Sequence, residues 1–379
     1  MTFVPASDKI GNMKKLKVLI LMSSIGGGHK SVAHALQEAL EERGHEVVFF
    51  DALPQVLIPT YSIISRYLLS FWGFLFWTSN EKKASDIISK LSNKMVEKKI
   101  ARKVISTLPD FIISDHPFIT KLPEEVFFKN GHIPLGVIVV DPMTAHAIWF
   151  KGRPDVYFIP TDDIQKAALA AGVPKERIIF TGYPVKKEFY EKTDIASLRS
   201  SLGLSPNVFT VMIGGSSEGI GKIEEICELM AEFPDKLKFQ AIVVCGRNKI
   251  LFKKLAGKYY FDKRFKILGF ERRMPLYLKA CDVVISKAGP TNLYEAVAAG
   301  KPFLAFSCMP GQEEGNLDLI KNERIGVVET DVKKIVHLIR KWIKEPVLLE
   351  SFKPAIENLK ERQKLASERV VDYIEKLIK

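Results

Sequence analysis

The sequence predicts an α/β protein of two domains, each built on a parallel sheet covered by helices on both faces. Three observations carry that expectation. Short β-branched runs alternate with helical patterns over most of the chain, as parallel strands joined by crossover helices require. Each half opens with a strand, a glycine-rich loop and a helix, through Ile25-Gly26-Gly27-Gly28-His29 in the first and Gly214-Gly215-Ser216-Ser217-Glu218-Gly219-Ile220-Gly221 in the second. A chain of 379 residues, at about 150 per domain, leaves room for two such units.

Taken in order, strands are expected at 18–22, 47–51, 111–114, 136–140, 156–159 and 178–180, then at 209–213, 239–244, 265–268, 283–286 and 302–305. The segment from Pro184 to Pro206 is charged and poor in apolar residues, which suits a linker with a short helix. The boundary is placed near Lys187, giving domains of 1–186 and 187–350. The tail, 351–379, reads as a helix with Pro354 as its break, packing back towards the N-terminal domain. The two glycine-rich loops match neither the G-x-G-x-x-G dinucleotide pattern nor the P-loop.

Composition narrows the partners. With 47% hydrophobic and 26% charged residues the chain is of ordinary globular make-up, and its length buries sizeable cores without disulfides or metals. The formal charge of +12 calls for a polyanionic partner: nucleic acid, an anionic membrane surface or a phosphorylated substrate. Four cysteines lie far apart with no C-x-x-C, so they read as reduced, mostly buried thiols rather than a metal or redox site. Lys14, Lys15 and Lys17 precede an apolar run at 18–22 too short for a signal peptide, and no stretch reaches about 18 apolar residues.

Half of the charge excess is local. From Lys82 to Lys103 there are eight basic residues against two acidic ones, a net +6. Ile87, Leu91 and Met95, then Val96, Ile100 and Val104, recur at spacings of four within it. The segment follows an aromatic run at 67–77 that holds Phe71, Trp72, Phe74, Phe76 and Trp77. A basic amphipathic helix behind such a run suits an interfacial helix on an anionic leaflet; a surface helix with solvated lysines and core aromatics is the alternative.

Three segments carry the chemistry. Three glycines and His29 between a strand and a helix let a ligand approach the backbone beside free helix N–H groups, and an imidazole there suits a general base. Ser286-Lys287-Ala288-Gly289-Pro290-Thr291-Asn292-Leu293-Tyr294-Glu295 runs strand, small-residue loop, helix. In it Thr291 or Asn292 can cap a helix whose dipole favours phosphate, with Glu295 one turn inside as a partner for ribose hydroxyls. Pro310-Gly311-Gln312-Glu313-Glu314-Gly315-Asn316 gathers the amide and carboxylate groups that a sugar's hydroxyls need.

Together with Asp115-His116-Pro117, Asp141 with His146 and Trp149-Phe150, Thr181-Gly182-Tyr183-Pro184-Val185 and Val244-Cys245-Gly246-Arg247-Asn248, these motifs make the chain resemble glycosyltransferase family 28. The plant monogalactosyldiacylglycerol synthases and the processive diacylglycerol glucosyltransferases of Gram-positive bacteria are the members it resembles most. The resemblance runs from about Lys17 to the C-terminal helix. It implies a GT-B fold, two Rossmann-like domains facing across a cleft and closed by a C-terminal helix. The implied activity is inverting transfer of glucose or galactose from a UDP-sugar to the sn-3 hydroxyl of diacylglycerol, giving a β-glycoside. A polyprenyl-linked or soluble acceptor, or a UDP-sugar sensor without turnover, are the alternatives.

Residue by residue, the resemblance puts Gly246, Arg247 and Phe270 around uracil and Glu295 on the ribose. It puts Gly215, Ser216, Gly289 and Thr291 on the diphosphate with Lys287 in place of a metal, and Glu313 and Asn316 on the sugar. His29 and Asp141 become the candidates for the base, His29 the favoured one. Gly28, His116 and His146 fall to the acceptor side, and Phe71, Trp72, Phe74, Phe76, Trp77, Lys94 and Lys98 to the membrane. The expected partners are a UDP-sugar, diacylglycerol and an anionic membrane surface, without nucleic acid, cofactor or metal. The expected protein is a monomer or weak homodimer, peripheral on the cytoplasmic side of the cell membrane.

Overall fold

The computed structural model describes residues 14–23, 27–53, 68–123, 126, 131–215 and 217–378. It contains two six-stranded sheets. The first comprises β1 (Lys17–Met22), β2 (Glu46–Asp51), β3 (Phe111–Ser114), β4 (Leu135–Ile138), β5 (Val156–Ile159) and β6 (Ile178–Phe180), in the spatial order β2-β1-β3-β4-β5-β6. The second comprises β7 (Phe209–Gly214), β8 (Phe239–Val244), β9 (Phe265–Leu268), β10 (Val283–Lys287), β11 (Phe303–Ser307) and β12 (Gly326–Val328), in the order β12-β11-β10-β7-β8-β9. Neighbouring strands run parallel in both.

Burial explains the strand sequences. The interior strands β3, β4, β5 and β8 are buried at every residue, so they read as unbroken apolar runs, whereas the edge strand β2 is only half-buried. The expected α/β class and eleven of the strands agree with the structure to within a residue or two. β12 is the addition; three residues beginning on a glycine, at a sheet edge, give no periodic signal.

Each sheet reverses its winding once. From β1 the chain goes outward to β2 and then returns to β3 on the other side of β1; from β7 it goes to β8 and β9 and returns to β10. A crevice opens at the carboxyl ends of the strands flanking such a reversal, and ligands of open α/β sheets bind there. The two crevices lie between β1 and β3 and between β7 and β10.

Six helices matter to the site. They are α1 (Gly28–Glu42), α2 (Leu69–Asn80), α3 (Lys82–Thr107), α4 (Pro290–Ala298), α5 (Lys353–Gln363) and α6 (Ala366–Ile378). The tail is two helices rather than one, and Pro354 sits in the first turn of α5, where its missing N–H costs nothing. α5 packs on α4 of the second domain and α6 on α1 of the first. His45 fixes α6: its Nδ1 accepts from the Leu16 N–H at 3.3 Å, so Nε2 carries the proton and donates to Glu375 at 3.0 Å. Arg43 adds contacts to Glu375 at 2.9 Å and Asp372 at 2.6 Å. One apolar cluster continues from the first domain onto one face of the second sheet, and the other face has its own.

α3 corrects the expected pattern. Its buried side is Ser85, Ser89, Ser92, Val96, Ile100, Ala101 and Val104. Ile87, Leu91 and Met95, which share the four-residue spacing, lie instead on the open side, exposed at 59%, 64% and 43%.

Candidate active site

His29 stands in the first turn of α1, just past the carboxyl end of β1, and Asp115 follows β3 directly. Their meeting is a consequence of the strand order. The His29 Nδ1 lies 2.6 Å from the Asp115 carbonyl oxygen and 3.5 Å from its carboxylate. A carbonyl only accepts, so Nδ1 carries the hydrogen and the neutral ring keeps the Nε2 lone pair free to take a proton. Among the described residues both Asp115 carboxylate oxygens are buried without a hydrogen-bond partner. Burial alone would lower the His29 pKa, but Asp115 and the nearby Asp141 outweigh it and raise it above 6.5. Burial raises the Asp115 carboxyl, against the pull of His29. His116 lies tilted against His29 with ring centroids 4.9 Å apart and 37° between the planes, and its Nδ1 accepts from the Phe118 N–H at 3.2 Å. Burial, then the charge of His29, keeps His116 well below 6.5.

Asp141 is committed differently. One oxygen accepts from the Trp149 indole at 2.8 Å and the other from the Gln312 amide at 3.0 Å. Burial raises its pKa while these two donors oppose the rise. It therefore joins the first domain to the loop before residue 314 of the second. His146 accepts from the Ile148 N–H at 3.2 Å through Nδ1, so its Nε2–H donates to Ser79 of α2 at 3.0 Å. Burial and Lys151 push its pKa down to about 4, which suits a neutral strut.

Across the cleft, α4 begins at Pro290 with Gly289 at its cap and no side chain capping it. The capping expected from Thr291 or Asn292 is not made, because Thr291 pairs with the Tyr183 hydroxyl at 3.0 Å and Asn292 donates to Ser286 at 3.0 Å. The free N–H groups of α4 are thus open to an anion. A register shift at Ser286/Lys287 re-aims Lys287 at the end of β10, where its ammonium pairs with Glu313. The Glu313 carboxylate also accepts from the Met309 N–H at 2.7 Å. Arg247 lies over the Phe270 ring at 4.8 Å and donates to Glu218 at 3.2 Å, following Gly246 at φ +56°, a backbone angle that favours glycine.

One cavity of about 1330 Å³ joins these groups: His29, His116, Asp141, Gly246, Arg247, Phe270, Lys287, Gly289, Thr291, Glu295 and Glu313 all line it. Gly28 and His146 do as well. Gly215 and Asn316 do not appear on its wall. A side chain at Gly215 would run into the Ile220 backbone, and Asn316 is buried with its amide donated to the Ala288 carbonyl at 2.8 Å. Ser216 lies outside the described residues. The domains touch within the cavity, where Ser31 of α1 donates to Glu295 of α4 at 2.6 Å. Burial pushes the Glu295 carboxyl up to about 7, against the pull of Ser31 and Lys186.

The membrane group divides. Phe71, Phe74 and Trp77 are exposed at 47%, 63% and 54%, and Lys94 and Lys98 are exposed. Phe76 is not: it is buried against Gly311 and lies edge-on to His146 at 5.2 Å. Trp72 is half-buried and lines the cavity. Sequence reasoning noted Asp115 only as part of a motif and missed its place beside His29; an Asp directly after a strand that flanks the winding reversal was the available signal.

A family model described as monogalactosyldiacylglycerol (MGDG) synthase matches residues 29–185, and one described as glycosyl transferases group 1 matches residues 221–362. The chain is 28% identical over 349 residues to a probable chloroplastic monogalactosyldiacylglycerol synthase of Nicotiana tabacum, covering 86% of this chain and 64% of that protein. It is 29% identical to monogalactosyldiacylglycerol synthase 1 of Arabidopsis thaliana, covering 86% and 64%. The chain thus spans just under two thirds of the length of these relatives. Among solved structures, Anabaena HepE in complex with UDP and glucose matches with a TM-score of 0.54 at 18% identity, covering 96% of this chain and 98% of that one. The glycosyltransferase SnogD of Streptomyces nogalater matches at 0.58 and 14%, covering 97% and 100%. These two likenesses establish the GT-B fold.

Proposed function

We propose that this chain is a member of glycosyltransferase family 28, as its similarity to the monogalactosyldiacylglycerol synthases supports, and that it moves a hexose from a UDP-sugar to the sn-3 hydroxyl of diacylglycerol with inversion, at a membrane surface. The observation that carries the reading is the pairing of His29 with Asp115 at one winding reversal, opposite the uncapped α4 and Lys287 at the other, on one cavity.

In the reaction the acceptor oxygen attacks C1 of the hexose while His29 Nε2 takes its proton. The C1–oxygen bond to UDP breaks from the opposite face, and its electron pair leaves on the diphosphate. An alcohol is a poor nucleophile until it loses its proton, so one base within reach suffices. Asp115 holds the ring in the tautomer that accepts and stabilises the imidazolium. The N–H groups of α4 and the Lys287 ammonium meet the charge that develops on the leaving diphosphate. Lys287 now pairs with Glu313, so donor binding re-partners both, Lys287 to phosphate and Glu313 to sugar hydroxyls. Gly246, Arg247 and Phe270 would hold the uracil and Glu295 the ribose. The name of the HepE complex, with UDP and glucose, supports a nucleotide-sugar in a fold of this kind.

The membrane half of the reading rests on α2 and α3, which put exposed aromatics beside exposed lysines. No helix among the described residues is long and apolar enough to cross a bilayer. The test is a screen of UDP-glucose and UDP-galactose against diacylglycerol in vesicles containing phosphatidylglycerol, with mass detection of extracted lipids and NMR of the anomeric proton. A β-hexosyl diacylglycerol is expected. UDP binding without any glycolipid product, or an α-linked product, would overturn the proposal.

A further inference from the structure

α2 is apolar all the way round, which a helix tolerates only when both sides meet something apolar. Residues three and four apart share a side. Trp72, Leu75, Phe76 and Ser79 therefore form one face, and all four line the cavity that holds His29, with Thr78 beside them and Leu75, exposed at 37%, at the rim. Phe71, Phe74 and Trp77 form the opposite face and are exposed. α3 repeats the division. Ala84 and Ile88 line the same cavity, while Ile87, Leu91 and Met95 stand exposed among Lys83, Lys90, Lys94 and Lys98.

The inner face continues into the active site. Trp72, Leu75, Ala84, Ile88, Phe118 and Ile148 give the cavity that holds His29 a stretch of apolar wall. At Gly73 an added Cβ would lie 2.7 Å from the Pro310 side chain, and at Gly311 it would strike the Phe76 ring. α2 is thereby seated on the loop that carries Gln312 and Glu313. On the first-domain side the Asn80 amide oxygen accepts from the Ala147 N–H at 2.6 Å and Ser79 accepts from His146. The inner faces of α2 and α3, whose outer faces are aromatic and basic, thus line the same cavity as His29 and Glu313.

We propose that α2 is the wall of an acyl-chain groove: its outer face lies in the bilayer, and its inner face, with Ala84 and Ile88 of α3, holds the first carbons of an acceptor lipid's acyl chains. The lipid moves from bilayer to groove past the ends of α2 and α3, and its hydroxyl reaches His29 while its tails stay in apolar surroundings throughout. The occupant is a two-chain neutral lipid, because none of the residues that α2 and α3 give to the wall is charged and the polar ones, Thr78 and Ser79, are neutral hydroxyls. The inference rests on the lipid-acceptor reading above and adds the subsite.

The experiment uses the full chain on phosphatidylglycerol vesicles that carry a diacylglycerol with a diazirine near the carboxyl end of one acyl chain, with crosslinks mapped by mass spectrometry. Crosslinks at Trp72, Leu75 and Ile88 are expected; crosslinks confined to Phe71, Phe74, Trp77, Ile87 and Leu91 would overturn the groove. In parallel, Leu75→Gln and Ile88→Gln are expected to raise KM for a long-chain diacylglycerol about tenfold, with vesicle and UDP binding within twofold of the parent. Phe74→Ser with Trp77→Ser is expected to weaken vesicle binding about tenfold while leaving KM for a water-soluble short-chain acceptor unchanged. An unchanged long-chain KM in the inner-face variants, or vesicle binding that falls with their activity, would contradict the proposal. Inner-face crosslinks without transfer from any UDP-hexose would leave the groove standing and remove the transferase reading.

Discussion

At the scale of single residues the account turns on two buried acids whose partners differ. Among the described residues the Asp115 carboxylate has the His29 ring beside it and no hydrogen-bond donor, whereas Asp141 is held by two neutral donors. In the proposed reaction the first arrangement tunes a base, and the second braces a joint. Because Asp115 helps to raise the His29 pKa, the proposed transfer, which would need the neutral ring, is expected to be lost as pH falls through a value above 6.5. Asp115→Asn is expected to move that acid limb to lower pH and to cut kcat by about 10²-fold or more, measured as a pH–rate profile; an unmoved limb would remove Asp115 from the site. Glu295 titrates in the opposite chemical sense. Burial holds it partly protonated near neutrality, with a pKa of about 7, and ribose hydroxyls donate best to its ionised form. UDP affinity is expected to rise as pH increases from 6 to 8, and Glu295→Gln is expected to flatten that rise in a calorimetric titration. His29, Asp141 and Glu295 were legible as polar residues at strand ends and in a first helical turn. The Asp115–His29 contact was not, since it joins positions 86 residues apart through the strand order β1-β3.

Among the elements, α2 and α3 show where sequence patterns stop. A stripe of apolar residues at spacings of four announces a helix but not which way the stripe faces, and in α3 the serines rather than Ile87, Leu91 and Met95 turned inward. Small side chains let α3 lie close to its neighbours, which leaves the larger apolar groups for the open side. If that side meets an anionic leaflet, neutralising Lys90, Lys94 or Lys98 to alanine weakens vesicle binding by about fivefold per lysine, an effect that should fade as salt is raised. Sedimentation at low and high salt measures it, and salt-independent binding would count against the lysines. α2 is also a joint. Gly73→Ala forces it away from Pro310, and transfer is expected to fall about tenfold while UDP binding persists. The short edge strand β12 was invisible for a simpler reason, having only three residues.

At the scale of the whole molecule, both active-site halves stand at reversals of sheet winding, and the chain's return through α5 and α6 holds them face to face. The alternation of strands and helices in the sequence was enough to give two parallel sheets and a cleft between them. It was not enough to give the contacts across that cleft: Ser31 with Glu295, Tyr183 with Thr291 and stacked on Tyr294 at 4.5 Å, and Asp141 with Gln312. Each pairs residues from the two halves, and no local pattern encodes them. Several of these contacts involve groups proposed to hold the donor, so a nucleotide-sugar bound as proposed would exchange them for ligand contacts. The measurement that bears most directly on the central claim compares the parent protein with His29→Ala on diacylglycerol vesicles at saturating UDP-hexose, with UDP binding followed in parallel. Hexosyl diacylglycerol from the parent, none from the variant, and nearly equal UDP binding by both is the result expected; transfer by His29→Ala at the parent's rate would contradict it.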